Sequence, residues 1–192
     1  MVIRVFENYT IEIFSDQQFE LDSCDNVTSY NHVYNNYTRI NMDYDKFAPK
    51  YGICLKEDDT IIRSAIIISG GGGCTSPSEK SVLVDHGNLI VIIDDSVFSL
   101  ALPDLLLNWK VSSEECVTCF ELYQFDRGYL IHGEVSIFKL SLLGNIEWEF
   151  TGRDIFTTIE GVDDFLVYDN YIIAKDWEEN IYKLDTNGKQ IS

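Results

Sequence analysis

Basic residues are scarce in this chain. Lys and Arg together number 14 against 32 Asp and Glu in 192 residues, a formal net charge of −18. A field of that sign repels phosphate backbones and anionic membrane surfaces, so neither direct nucleic-acid binding nor membrane docking is expected. Long apolar runs are missing as well. Ala65 to Ser69 and Leu89 to Ile93 fall far short of the ~20 residues of a spanning helix. The start, Met1-Val-Ile-Arg-Val-Phe-Glu7, lacks the basic-then-apolar layout of a signal peptide. Five cysteines (24, 54, 74, 116 and 119) without such a signal point to reduced thiols and a cytoplasmic location. Asn-x-Ser/Thr matches at Asn8, Asn26 and Asn36 are then chance.

Catalytic signatures are also wanting. Gly70 to Gly73 follows an apolar strand, but Cys74-Thr-Ser-Pro comes next instead of the Gly-Lys-Ser/Thr that reaches phosphate and Mg²⁺. Cys116-Val-Thr-Cys119 has no second cysteine pair to complete a zinc site. On a strand over Glu115 to Phe125 its two thiols would face opposite sides, so structural cysteines are expected. His32, His86 and His132 sit without a nucleophile at a suggestive spacing, and no Gly-x-Ser-x-Gly occurs. Asp94-Asp95 and Asp163-Asp164 match no calcium-loop spacing. The chain is read as a binder without cofactor or metal, not as an enzyme.

What is present favours strands. Tyr and Phe number 11 each and proline only 3, and no segment keeps a helical period beyond two turns. Val2 to Phe6 and Thr10 to Phe14 read as a hairpin about Glu7-Asn8-Tyr9, and Ile61 to Ser69 as a buried strand. Tyr30 to Ile40 reads as a pair of strands and Asp43 to Tyr51 as a loop. The expected class is all-β, one domain over 1–192, with an irregular N-terminal part over 1–80 and three blade-like repeats over 85–192.

The repeats carry the argument. Asn88-Leu-Ile-Val-Ile-Ile93, Val97-Phe-Ser-Leu100 and Leu105 to Trp109 form one unit. Gly128 to Gly133, Ile137-Phe-Lys-Leu140 and Gly144 to Trp148 form the next, and Asn170 to Ala174, Ile181-Tyr-Lys-Leu184 and Asn187 to Ile191 the third. The middle strands start 40 and then 44 residues apart, which matches the ~40–45 residues of a propeller blade. Turns at Pro103-Asp104, Gly144-Asn145 and Asn187-Gly188 return the chain. Alternation places Trp109 and Trp148 on one buried face with Leu105, Leu107 and Ile146.

Ile137-Phe-Lys-Leu-Ser-Leu-Leu-Gly-Asn-Ile-Glu-Trp148 resembles one repeat of the quinoprotein (PQQ-type) propellers, and Ile181-Tyr-Lys-Leu-Asp-Thr-Asn-Gly188 is similar. The resemblance covers the last ~105 residues and implies antiparallel sheets with propeller-like repeats. A closed ring takes about four or more blades, so three repeats leave an incomplete propeller or a sandwich-like stack.

One charged stretch stands out. Between Gly144 and Asn180 lie ten acidic residues opposed only by Arg153 and Lys175, with Trp148, Phe156, Phe165, Tyr168, Tyr171 and Trp177 interleaved. Acidic rims around aromatic anchors capture basic partners. Glu147, Glu149, Asp163, Asp164, Asp176, Trp177, Glu178 and Glu179 are the candidate partner-binding residues, and burial in the core is the plainer reading of Trp177. In size, acidity and Asn/Tyr-rich β composition the chain is similar to immunity proteins of contact-dependent and polymorphic toxin systems. That resemblance implies a basic nuclease toxin as partner. The alternative is a propeller-like scaffold or ligand-binding module without catalysis.

Overall fold

The computed structural model describes residues 1–35, 48–70, 76–159 and 161–191. Among them are sixteen strands and no helix, and the chain is all-β, as the composition led us to expect. The strands form four sheets that follow one another along the chain.

The first sheet holds β1 (Val2–Phe6), β2 (Tyr9–Ser15), β3 (His32–Asn35), β4 (Lys50–Glu57) and β5 (Thr60–Ile68), in the order β1-β2-β4-β5-β3. The second holds β6 (Val82–Asp85), β7 (Asn88–Ile93), β8 (Ser96–Ala101) and β9 (Leu106–Ser112). The third holds β10 (Cys119–Phe125), β11 (Gly128–Gly133), β12 (Ser136–Ser141) and β13 (Ile146–Thr151). The fourth holds β14 (Phe165–Val167), β15 (Tyr171–Lys175) and β16 (Ile181–Asp185). Each of the last three is a simple antiparallel meander. They correspond to the three repeats, each with a further strand at its front (β6, β10 and β14). The last strand expected, over Asn187 to Ile191, is reduced to an isolated bridge between Leu184 and Gln190, so the fourth sheet has three strands.

Two-residue turns close several hairpins. Asp58-Asp59, His86-Gly87 and Asp126-Arg127 hold positive φ at both central positions, the backbone that matches the twist of the flanking strands. Short polar residues such as Asp tolerate that region, because they can hydrogen-bond locally.

Strand alternation decides the packing. Along β7, Leu89, Val91 and Ile93 join a cluster with Ile11, Ile13, Ile53, Leu55, Ala65 and Ile67 of the first sheet. The intervening Ile90 and Ile92 pack instead with Tyr129, Ile131, Phe138 and Leu140 of the third. Leu130 and Ile137 on the other face of that sheet meet Phe165, Ile172, Ala174, Tyr182 and Leu184 of the fourth. The second and third sheets are thus buried on both faces, which explains why NLIVII reads as a continuous apolar run. Each fully buried Ile or Leu contributes about 1.5–3 kcal/mol before entropy is counted. The sheets succeed one another as propeller blades do, and among the described residues no core cluster joins the fourth to the first.

Successive sheets are also pinned by aromatic side chains. Trp109 of β9 donates its indole N–H to the carbonyl of Leu142 (3.2 Å), in the β12–β13 turn. Trp148 of β13 donates to the carbonyl of Thr186 (2.8 Å), in the turn after β16. The first sheet does the same with a tyrosine. The Tyr34 hydroxyl donates to the carbonyl of Leu105 (2.8 Å) and accepts from the N–H of Leu107 (3.1 Å) in the second sheet.

Several expectations are corrected. Leu107 and Ile146 are exposed rather than buried beside the tryptophans. Register shifts between Ser99 and Leu100 and between Lys139 and Leu140 break the alternation the sequence suggested. β3 is a single short strand, and it pairs parallel to β5 in an otherwise antiparallel architecture. The buried strand over Ile61 to Ser69 is β5, solidly buried only from Ser64 onward. The loop expected over Asp43 to Tyr51 ends where β4 begins, at Lys50. Its residues 43–47, the second strand expected within Tyr30 to Ile40, and Gly71 to Gly73 lie outside the described residues.

The first sheet's far face is covered by its own chain. Ile66 and Ile68 pack with Phe19, Ala48 and Tyr30, and the Tyr30 hydroxyl donates to Asp16 (2.6 Å).

Candidate functional site

The acidic-aromatic residues fall into two groups. Asp163, Asp164, Trp177, Glu178 and Glu179 lie on two neighbouring connections of the fourth sheet. One is the segment between β13 and β14, the other the β15–β16 turn. The N–H of Trp177 bonds the carbonyl of Ile155 (2.9 Å) and that of Lys175 bonds the carbonyl of Asp164 (2.8 Å). These two backbone bonds set the segments side by side.

Asp176 builds this edge from inside. It is fully buried, and its carboxylate accepts from the backbone N–H groups of Glu178 (3.0 Å) and Asn180 (2.9 Å) and from the Tyr182 hydroxyl (2.7 Å). Burial alone would raise its pKa, but these hydrogen bonds outweigh that and hold it below the ordinary carboxylate range. Its place among the partner-contacting residues is therefore corrected: Asp176 folds the turn that presents them. The reason is local, since an Asp ahead of a turn captures the free N–H groups that follow.

With that turn fixed, Trp177 stands 46% exposed. It is not a core residue. Glu178 and Glu179 beside it are exposed, as is Asp163 on the neighbouring connection, held at positive φ. Asp164 is half-buried and accepts from the Thr157 hydroxyl (3.1 Å) and the Thr158 N–H (3.3 Å).

Glu147 and Glu149 sit apart, on β13 of the third sheet. Glu147 pairs with the ammonium of Lys139 (2.9 Å), which also meets Asp126 (2.9 Å). Glu149 accepts from the Ser113 hydroxyl of the second sheet. Both carboxylates are engaged within the fold.

Ile159 and Val162 were not singled out in the sequence. Both are strongly exposed on the same connection as Asp163. Their signal was available: apolar residues in a turn-rich segment with no strand pattern to bury them.

A second polar constellation lies between the second, third and fourth sheets. His132, on β11, faces the Phe156 carbonyl with Nε2 (2.8 Å) and Glu121 with Nδ1 (3.4 Å), and its ring stacks on Phe165 at 4.0 Å. Burial pushes Glu121 up, but His132, Lys80 and Tyr123 together overcome it and bring its carboxyl down to about 2. These groups are mutually satisfied and join adjacent sheets, a structural role. Among the described residues, no group of three or more His, Cys, Asp or Glu is placed to hold a metal ion.

A groove of about 470 Å³ opens where Asp85 and His86 meet Gln124, Asp126, Arg127 and Leu142. Asp85 is held there by Gln124 (2.6 Å) and by the Tyr129 hydroxyl (3.0 Å).

No protein-family model matches the chain. No curated protein matches it either. Among solved structures it is similar to BamB from Moraxella catarrhalis, with a TM-score of 0.49 and 13% identity. The match covers 76% of this chain and 45% of that one. The chain spans less than half of that structure, and a likeness this distant carries nothing about activity or partners.

Proposed function

We propose that this chain is an acidic protein-binding inhibitor that docks a basic protein through the edge formed by the 155–164 segment and the β15–β16 turn. A nuclease toxin, neutralised by this chain as its immunity protein, is the partner of that chemistry, because nuclease surfaces are basic in order to hold phosphate. The observation that carries the reading is Trp177: an aromatic side chain 46% exposed on a turn that Asp176 holds rigid, flanked by Glu178 and Glu179. A rigid aromatic anchor loses little entropy on binding, and surrounding carboxylates steer a basic surface into place.

The test is the binding kinetics of the purified chain against basic nuclease toxin domains. Association should slow steeply with added salt, and Glu178→Gln with Glu179→Gln should slow it and flatten that dependence. Trp177→Ala should leave the melting temperature unchanged and speed dissociation about 30-fold, the equivalent of a ~2 kcal/mol anchor. An association rate insensitive to salt sinks the electrostatic premise.

The groove beside Asp85 supports a second reading, a ligand-binding module without catalysis. Under it, Trp177→Ala leaves binding intact and substitutions at Gln124 or Arg127 do not.

A further inference from the structure

The two cysteines of the Cys-x-x-Cys do not face apart. Cys116 precedes β10 on an irregular bend, and only Cys119 is on the strand. Strand alternation therefore does not separate them, and their sulfurs lie 3.5 Å apart, both buried. A disulfide bond needs the sulfurs at about 2.05 Å, so a small rotation about the side chains closes the gap.

We propose that Cys116 and Cys119 form a dithiol–disulfide couple, closed by exchange with a small-molecule disulfide of the oxidised-glutathione class. Three features of the site support it. First, a side chain at Gly133 would place its Cβ 2.2 Å from the Cys116 sulfur, so the neighbouring strand leaves room for that sulfur and little else. Second, the thiols are unequal: the hydrogen bond from Cys119 lowers the pKa of Cys116, while the same contact and then burial raise that of Cys119. Cys116 is the more acidic of the two sulfurs, and the attack is assigned to it. Third, Val117 between them is well exposed, as are Glu114 and Glu115 before them. The segment lies at the surface, and a local outward swing brings Cys116 to solvent.

The chemistry balances as two exchanges. The Cys116 thiolate attacks one sulfur of the small disulfide, forms a mixed disulfide and expels one small thiolate. Cys119 then gives up its proton to that thiolate or to water, attacks the Cys116 sulfur and expels the second small thiol. The protein dithiol is oxidised by two electrons and one small disulfide is reduced to two thiols. The consequence is structural. The N–H of Cys119 bonds the carbonyl of Asp94 (2.7 Å) in the second sheet, and the N–H of Glu134 in the third bonds the carbonyl of Thr118 (2.8 Å). The disulfide would stiffen the link between these two sheets.

The inference is independent of partner binding, and redox titration of the full chain tests it. The reduced, folded protein is equilibrated with graded mixtures of reduced and oxidised glutathione, quenched in acid, alkylated in denaturant and mapped by peptide mass. The expected result is loss of two hydrogens from the peptide holding residues 116 and 119, at ratios where Cys54 is still fully alkylated. Cys119→Ser should accumulate one glutathione on Cys116, and Cys116→Ser should leave Cys119 unmodified over the same interval, with circular dichroism confirming that both variants fold. The wild-type titration decides alone if they do not. Full alkylation of both cysteines at the oxidised end of the series overturns the proposal, as does oxidation seen only after denaturation. A glutathione adduct on Cys119 rather than Cys116 overturns the assignment of the attacking sulfur.

Discussion

The indole of Trp148 lies so close over Gly188 that a Cβ there would come within 2.4 Å of the ring. Trp109 stands in the same relation to Gly144, where the corresponding approach is 2.5 Å. Both glycines also hold positive φ, at 73° and 79°. Each is thus required twice, for the turn and for the docked ring.

Gly87 separates the two demands. Its φ is 72°, yet nothing lies within 4 Å of a Cβ built on it. Gly87→Ala should cost only the backbone term, about 1 kcal/mol. Gly188→Ala adds displacement of Trp148 and should cost on the order of 3 kcal/mol. Urea unfolding of the two variants checks this; equal losses would show that the ring yields freely.

Tyr34 makes the equivalent contact with one hydroxyl. Tyr34→Phe leaves the Leu105 carbonyl and the Leu107 N–H without it. A loss of about 1–2 kcal/mol is expected by chemical denaturation. A neutral substitution would mean that the first two sheets are held by the apolar cluster alone.

Asp176 should reveal itself in acid. Its pKa is depressed in the folded chain, so its contribution is full above the unfolded value of about 3.9 and is lost as pH falls through the folded one. Asp176→Ala should cost about 2–4 kcal/mol at neutral pH, and the deficit should shrink toward low pH. Thermal melts from pH 7 down to pH 2 follow it. A deficit that stays constant with pH would separate the turn from the charge.

Asp94 carries the opposite sign. It is fully buried, accepts from the Ser69 hydroxyl, and its Oδ1 meets no donor among the described residues. Burial raises its pKa above the ordinary value. The folded state therefore favours the proton, and stability attributable to it is present below the unfolded pKa and lost as pH rises through the folded one. Asp94→Asn keeps an acceptor for Ser69 and removes the charge; it also suits the positive φ of 53°. The variant should match the wild type near pH 3 and exceed it by on the order of 1 kcal/mol at pH 7. Lower stability at pH 7 would mean that the ionised carboxylate is favoured there.

Much of this molecule is written locally. The continuous apolar run along Asn88 to Ile93 marks a strand buried on both faces, and the spacing of Val97, Ile137 and Ile181 marks three repeated sheets. Turn residues at Gly144 and Gly188 and the surplus of carboxylates need no partner elsewhere in the chain to be read. Contacts between distant residues are another matter. Nothing near Tyr34 says that its hydroxyl reaches Leu105, or that its strand joins β5 in parallel. Three acidic neighbours, Asp176, Glu178 and Glu179, look alike in sequence, yet the first is sealed inside a turn and the other two face solvent. Cys116 and Cys119 read as opposite faces of one strand, but the strand starts four residues later than expected, at Cys119 rather than Glu115. Alternation and turn chemistry are properties of a few consecutive residues. Which carboxylate is buried, which ring docks and which thiols meet depend on where separate sheets stack, and only the tertiary structure decides that.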